Sequence, residues 1–213
     1  PSGMELSTPV RALNSAIDIS WNTGFSPFLF YVKISKTLGT TSMLNITEEN
    51  KKTIGLDLDD TLIDHSLNCQ KLSQSLNLNP ESKELKKILY SEISLSAEPM
   101  KYSLESVRKF IELGYKIIIV SRRKKDGHKS ARAWLKKYLP QIPASKIFFV
   151  EEDKDKNIIC LREKVDIFID DSIEVISSLD QSIEKILFRK NWREISEKVA
   201  TNINPQTPVG RLH

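Results

Sequence analysis

A chain of 213 residues, 39% hydrophobic and 28% charged, is long enough to bury one core with a modest accessory element and too short for two full domains. The formal charge of +4 comes from Lys and Arg spread along the chain, with one short cluster at Arg122-Arg123-Lys124-Lys125, so it reads as solvated surface and leaves nucleic acid a weaker candidate partner than a small molecule. Two distant cysteines, Cys69 and Cys160, exclude a disulfide framework and match no zinc spacing, and the apolar run Phe28 to Val32 falls far short of the roughly 20 residues a membrane helix needs.

Residues 1–42 carry five charged side chains (Glu5, Arg11, Asp18, Lys33, Lys36), many Ser, Thr and Asn, and no sustained helical or strand period. They are expected to be an extension without an assigned fold, with Met43 as the natural start of the protein. No basic segment followed by a small-residue cleavage site precedes Phe28, so an unprocessed cytoplasmic protein is expected. The core domain is expected over 43–202, followed by a short tail at 203–213.

From Thr53 the pattern alternates. TIGLDL reads as a short apolar strand, and residues 65–76 and 80–95 read as two helices, the second opened by Pro80 and acidic residues. Residues 103–114 form an amphipathic helix with a Ser cap and a terminal Gly114. KIIIVS (116–121) is a fully apolar strand, followed by a helix over 127–139, the strand KIFFV (146–150) and a helix over 157–164. DIFID (166–170), the helix 172–179, KILF (185–188) and the helix 191–199 complete the series. Near-continuous apolar strands alternating with helices predict an α/β fold with a parallel sheet covered on both faces, and in such sheets ligands bind at the carboxyl ends of the strands.

Chemistry collects at those ends. Side chains two apart in a strand point the same way, so Asp57 and Asp59 form a pair about 6 to 7 Å apart at the backbone. Asp170 and Asp171, closing DIFID, reach the same edge if that strand is a neighbour. At an effective dielectric near 20, each like-charged pair at such a distance costs roughly 2 to 3 kcal/mol, so several pairs call for a counter-ion. A hard divalent cation such as Mg²⁺ suits carboxylates, retained waters and substrate phosphate oxygens. The blander reading is that these Asp residues cap helices and make turns, Asp171-Ser172 for the helix 172–179 and Asp60-Thr61 for a turn. Two acidic strand ends in one sheet favour function. Ser121 ends its strand where a hydroxyl and backbone N–H groups can hold an anionic oxygen, and Lys156 brings a cation to the same edge, with Lys154 a near competitor. Trp134 and Trp192 are expected in the core, and His65, His128 and His213, which show no metal-ligand spacing, at the surface.

The set Asp57-Leu58-Asp59-Asp60-Thr61, then Ser121, Lys156 and Ile169-Asp170-Asp171 in that order, resembles the four motifs of the haloacid dehalogenase (HAD) superfamily over residues 53 to about 195. The resemblance implies a Rossmann-like three-layer sandwich, with a small helical cap at about 65–96 inserted after the first strand. It implies that Asp57 is the nucleophile that forms an aspartyl-phosphate and Asp59 the general acid and base. Ser121 and Lys156 would bind the phosphoryl oxygens. Mg²⁺ would sit on the Asp57 carboxylate, the Asp59 backbone carbonyl and Asp170, with Asp171 in support. An acid two residues after the nucleophile points to phosphoryl transfer rather than dehalogenation, and hence to a phosphatase. IDDS followed by KILFRKNW is similar to the deoxyribonucleotidase-like branch, and Ser121-Arg122-Arg123 with Trp134-Leu135 resembles polynucleotide-end phosphatases, so Arg122 and Arg123 join Ser121 and Lys156 as expected substrate-binding residues. A small phosphorylated substrate, a nucleotide first and a sugar phosphate or polynucleotide end second, is the expected partner. A receiver-like domain fits less well, because there the phosphoacceptor Asp ends a middle strand ahead of the Ser and Lys. A non-catalytic binding module with this fold is the remaining alternative.

Overall fold

The structure is a computed structural model and describes residues 51–201; the extension at 1–42, the start at Met43 and the tail at 203–213 lie outside the described residues. The five apolar runs become strands β1 (Thr53–Leu56), β4 (Lys116–Arg122), β5 (Ile147–Val150), β6 (Ile167–Asp170) and β7 (Glu184–Leu187), joined in one sheet in the order β5-β4-β1-β6-β7. Every pairing in it is parallel, with Leu56 beside Ile119 on one side and Ile169 on the other. Strands β2 (Ile63–Asp64) and β3 (Glu98–Pro99) make a separate two-residue antiparallel pair.

The period of two divides the strand residues between two cores. Ile54, Leu56, Ile117, Ile119, Ile167 and Ile169 face helices α3 (Ser103–Glu112), α4 (His128–Tyr138) and α7 (Trp192–Thr201), whose Phe110, Trp134, Trp192 and Val199 are buried with them. Ile118, Val120 and Phe168 face the opposite layer, where α5 (Asp155–Arg162) contributes Cys160 and α6 (Ile173–Ser178) contributes Val175 and Ile176. Each such side chain, fully buried, contributes roughly 1.5 to 3 kcal/mol, which is what holds helices on both faces. Trp134 and Trp192 are core residues as expected, and each satisfies its indole N–H on a backbone carbonyl, of Ala97 at 2.8 Å and of Thr61 at 2.9 Å. The α/β three-layer architecture predicted from the alternation is therefore the one observed.

Local differences have local causes. The helix expected over 80–95 splits into α2 (Lys83–Leu89) and a tight turn of helix at Glu92–Ser96. It starts at Ser82, whose hydroxyl accepts from Leu85 N, rather than at Pro80. It breaks where the Ser91 hydroxyl donates to the Ile88 carbonyl and competes with the backbone ladder. Ser103 does not cap α3: Tyr102 in left-handed conformation precedes the helix, and the Ser103 hydroxyl donates to Leu62 O at 3.4 Å. Together with α1 (Ser66–Leu76), α2 and this turn of helix form the small helical element inserted after β1.

Candidate active site

The carboxyl ends of β1, β4 and β6 lie side by side because the strands are parallel neighbours. Although β1 ends at Leu56, Asp57 N still donates to Ile169 O at 2.9 Å, so Asp57 is carried one residue past the strand beside Asp170, the last residue of β6. Carboxylate oxygens of Asp57, Asp170 and Asp171 all come within 4.8 Å of one another. Asp57 and Asp170 are buried, while Asp171 is open to solvent. From the first turn of α5, Lys156 reaches into the cluster, its Nζ 2.6 Å from Asp57 Oδ1 and 2.7 Å from Asp170 Oδ2. Lys154 points away, exposed and paired with Glu152, so of the two lysines it is Lys156 that joins the site. Ser172 N and the Thr61 hydroxyl complete the frame by donating to Asp170 Oδ1 at 2.9 Å and Asp171 Oδ1 at 3.2 Å. Ser172 also caps α6 by accepting from Val175 N, so the capping role foreseen for this stretch falls to the serine and leaves Asp171 free for the cluster.

The electrostatics follow from crowding. Burial pushes the Asp57 carboxyl up, Lys156 pulls it back, and Asp170, Asp171 and Asp59 add to the rise. Partial burial, with Asp170 and Asp60 nearby, pushes Asp171 to about 6. Burial alone would disfavour the Lys156 ammonium, yet Asp57 and Asp170 hold its pKa above the ordinary lysine value. One ammonium thus balances three carboxylates. The donor set is wholly hard oxygen, with no nitrogen or sulfur ligand, and fits a divalent ion of the Mg²⁺ kind.

Asp59 has a different environment. A turn in which Leu58 O accepts from both Leu62 N and Ile63 N, with Asp60 at φ 59°, folds the chain back and brings His65 over Asp59. Four donors converge on this one carboxylate: Arg123 Nε at 2.8 Å, Arg123 Nη2, Ser121 Oγ at 3.3 Å and His65 Nε2 at 2.7 Å. Burial opposes the charge, but the Arg123 guanidinium and the hydrogen bonds from His65 and Arg123 prevail and hold the Asp59 carboxyl well below the usual carboxylate range. Its carboxylate is not one of the three that lie within 4.8 Å of one another.

One expectation is corrected here. His65 is not a surface residue: it is 1% exposed and bound to Asp59, and its Nδ1 is buried without a hydrogen-bond partner among the described residues, which suits the neutral tautomer protonated on Nε2. Arg123, expected among the substrate-binding residues, has a fully buried side chain whose donors not on Asp59 go to Tyr90 O, Ser94 Oγ and Gly127 O. No periodicity marked His65, and the only hint was its place just after the apolar pair Leu62-Ile63. His128 is half-buried, stacked on Phe149 and donating to Arg123 O at 2.9 Å, so it supports the same loop. Arg122 is exposed, pairs with Asp153 at 2.6 Å and borders the pocket.

Asp57, Asp59, Ser121, Lys156, Asp170 and Asp171 line a cavity of about 380 Å³. A parallel α/β sheet with acidic, serine and lysine side chains converging on the ends of its central strands defines a phosphotransferase-type hydrolase of the HAD kind. Residues 32–164 match the family described as HAD superfamily, subfamily IIIB (acid phosphatase), and the chain belongs to that family. It is accordingly a HAD-type phosphatase, a phosphoric monoester hydrolase by class. Among solved structures, it resembles a HAD-superfamily hydrolase from Ehrlichia chaffeensis at 17% identity and TM-score 0.50, over 72% of this chain and 99% of that one. It also resembles the class C acid phosphatase from Bacillus anthracis at 19% identity and TM-score 0.50, over 75% of this chain but only 64% of that protein. These likenesses establish the fold. A search of curated proteins finds no match.

Proposed function

We propose that the protein hydrolyses a small phosphomonoester, a nucleotide in first place, in a Mg²⁺-dependent reaction through an aspartyl-phosphate. The observation that carries this reading is Lys156 Nζ bridging Asp57 and Asp170, with three carboxylates inside 4.8 Å. A phosphoryl group takes the same kind of place, between a nucleophilic carboxylate, a fixed ammonium and a divalent ion. Asp57, Asp170 and Asp171 would hold Mg²⁺, which when bound shields the phosphoryl charge and the Asp57 carboxylate from each other. Ser121 and Lys156 would bind the phosphoryl oxygens. The Asp57 oxygen forms the bond to phosphorus as the bond to the leaving oxygen breaks and that oxygen takes the proton of a protonated Asp59. Water then attacks phosphorus, loses a proton to Asp59, and frees the Asp57 carboxylate and inorganic phosphate.

Its contacts keep Asp59 ionised, the state that the second half of this cycle needs, but they also lower its basicity, so accepting the proton from water calls for Arg123 to loosen its hold. Acting as acid in the first half requires the carboxyl to carry a proton, and hence to loosen from Arg123. The nucleotide preference rests on the likeness of the sequence after Asp170 to nucleotidases. Turnover of an aryl phosphate in Mg²⁺, lost in chelator and in Asp57→Asn, is the test. In Asp59→Asn turnover should drop about 10²- to 10⁴-fold with the circular dichroism spectrum unchanged. Hydrolysis that survives in Asp57→Asn would reject the assignment of the nucleophile.

A further inference from the structure

Next to the catalytic pocket runs a second cavity of about 780 Å³, roughly twice the size of the first. One wall is α2, where Lys83, Lys86, Lys87 and Tyr90 follow the i, i+3, i+4, i+7 spacing and so form one stripe along the helix. The other wall is the end of β4 and the loop after it, with Arg122, Lys124 and Lys125. Of the described residues in its lining, seven are Lys or Arg and two are acidic. Lys86, Tyr90 and Arg122 border both cavities, so the groove is continuous with the catalytic pocket. Part of this charge is neutralised inside the protein: Arg123 on Asp59, Arg122 on Asp153, Lys124 on Glu151 and Lys86 on Glu81. Lys83, Lys87 and Lys125 are exposed and make no ion pair among the described residues.

A single phosphate in the catalytic pocket does not use these cations. Like charges at i and i+4 on a helix repel, and here they line a groove, with a third cation, that adjoins the catalytic pocket at Lys86, Tyr90 and Arg122. The phosphomonoesterase reading calls for a terminal phosphate at Asp57, a residue that is only 5% exposed. We propose that the groove holds the backbone of a single nucleic-acid strand whose terminal phosphate lies in the catalytic pocket. This rests on the phosphatase reading for the terminal phosphate and on the groove alone for the strand. With Tyr90 the one aromatic side chain among the described residues of the lining, contacts run to phosphates rather than to stacked bases, and recognition tolerates any sequence.

The test uses the full chain and a labelled oligothymidylate of about ten nucleotides carrying a terminal phosphate, with thymidine monophosphate as the small reference. In chelator, the strand should bind at least about tenfold more tightly than the monophosphate, with log affinity falling against log salt at a slope of about −2 to −3. The triple variant K83E/K87E/K125E should lose about tenfold or more in strand affinity and about two units of that slope, while its turnover of an aryl phosphate in Mg²⁺ stays at the wild-type value. Strand binding no tighter than the monophosphate would overturn the inference, as would equal losses for both ligands in the variant or equal affinity for an acidic phosphopeptide of the same charge. Strand binding that depends on the three lysines in a protein that turns over no phosphate would uphold the groove and reject the phosphatase reading, so the two failures are distinct.

Discussion

Asp59 and Asp57 differ by two residues and have opposite electrostatic surroundings. Asp57 shares one lysine with Asp170 and lies close to Asp171, whereas Asp59 is bound by a buried guanidinium, an imidazole and a hydroxyl. Arg123 therefore sets the pH range in which Asp59 can accept a proton from water. In Arg123→Gln the burial that raises the Asp59 pKa is no longer offset by the guanidinium, so the acid limb of the pH–rate profile should move up by about one unit or more. Arg123→Lys, which keeps the charge, should move it less. An unmoved limb in Arg123→Gln would separate Asp59 from the rate-determining proton transfer. Asp171 supplies the reverse sign. Its folded pKa of about 6 lies above the ordinary value near 3.8, so the folded metal-free protein takes up this proton more readily than the unfolded chain. The resulting stability is fully present below pH ~4 and is lost as pH rises through about 6. Denaturation midpoints in chelator should accordingly fall between about pH 4.5 and pH 7, and Asp171→Asn should flatten that part of the curve. Equal pH dependence in the two proteins would count against the crowding of these carboxylates.

Gly55 in the middle of β1 shows how tightly the sheet and its second core are fitted. It faces the layer containing Phe168 and Val165, and a Cβ there would lie 2.5 Å from Phe168 Cδ2 and 3.3 Å from Val165 Cγ1. Gly55→Ala should cost roughly 1 to 3 kcal/mol in chemical denaturation, the usual range for overpacking. Combining it with Phe168→Leu should cost less than the sum of the single changes, since the two sites touch; additive losses would place the strain elsewhere. Elements of this kind were legible in the sequence because strands such as Ile117–Val120 are apolar on both faces, and because the acids and Ser121 sit at their ends. The break at Ser91 was not legible, since it arises from a local hydroxyl–carbonyl bond within an otherwise helical pattern. Nor were the partners of Asp59: Arg123 lies 64 residues away and reads as part of a basic surface cluster until folding buries it. Sequence spacing reported which groups share a strand end, and only packing decided which of them pair.

Across the molecule, the sheet gathers three carboxylates that the folded chain balances with a single buried ammonium, so folding and cation binding are coupled. A divalent ion that binds the assembled cluster and has little affinity for the unfolded chain stabilises the fold by about 2.7 kcal/mol at a concentration of 100 Kd. Thermal unfolding followed by circular dichroism should show the midpoint rising with Mg²⁺ and returning to its starting value with chelator. Asp170→Asn removes one of the two buried acids of the cluster while keeping the volume and the acceptor for Ser172 N, so the Mg²⁺-dependent rise should largely disappear. The same substitution relieves like-charge crowding around Asp57 but removes the carboxylate oxygen that Lys156 holds at 2.7 Å, so the metal-free baseline is measured for each protein and the Mg²⁺-dependent rise above it is what separates wild type from variant. Glu174 borders the same cavity but lies outside the trio of carboxylates, which makes Glu174→Gln the matched control: it should keep the full Mg²⁺ response. A loss of that response in Glu174→Gln, or its survival in Asp170→Asn, would move the cation away from the ends of β1 and β6 and with it the chemistry assigned to Asp57.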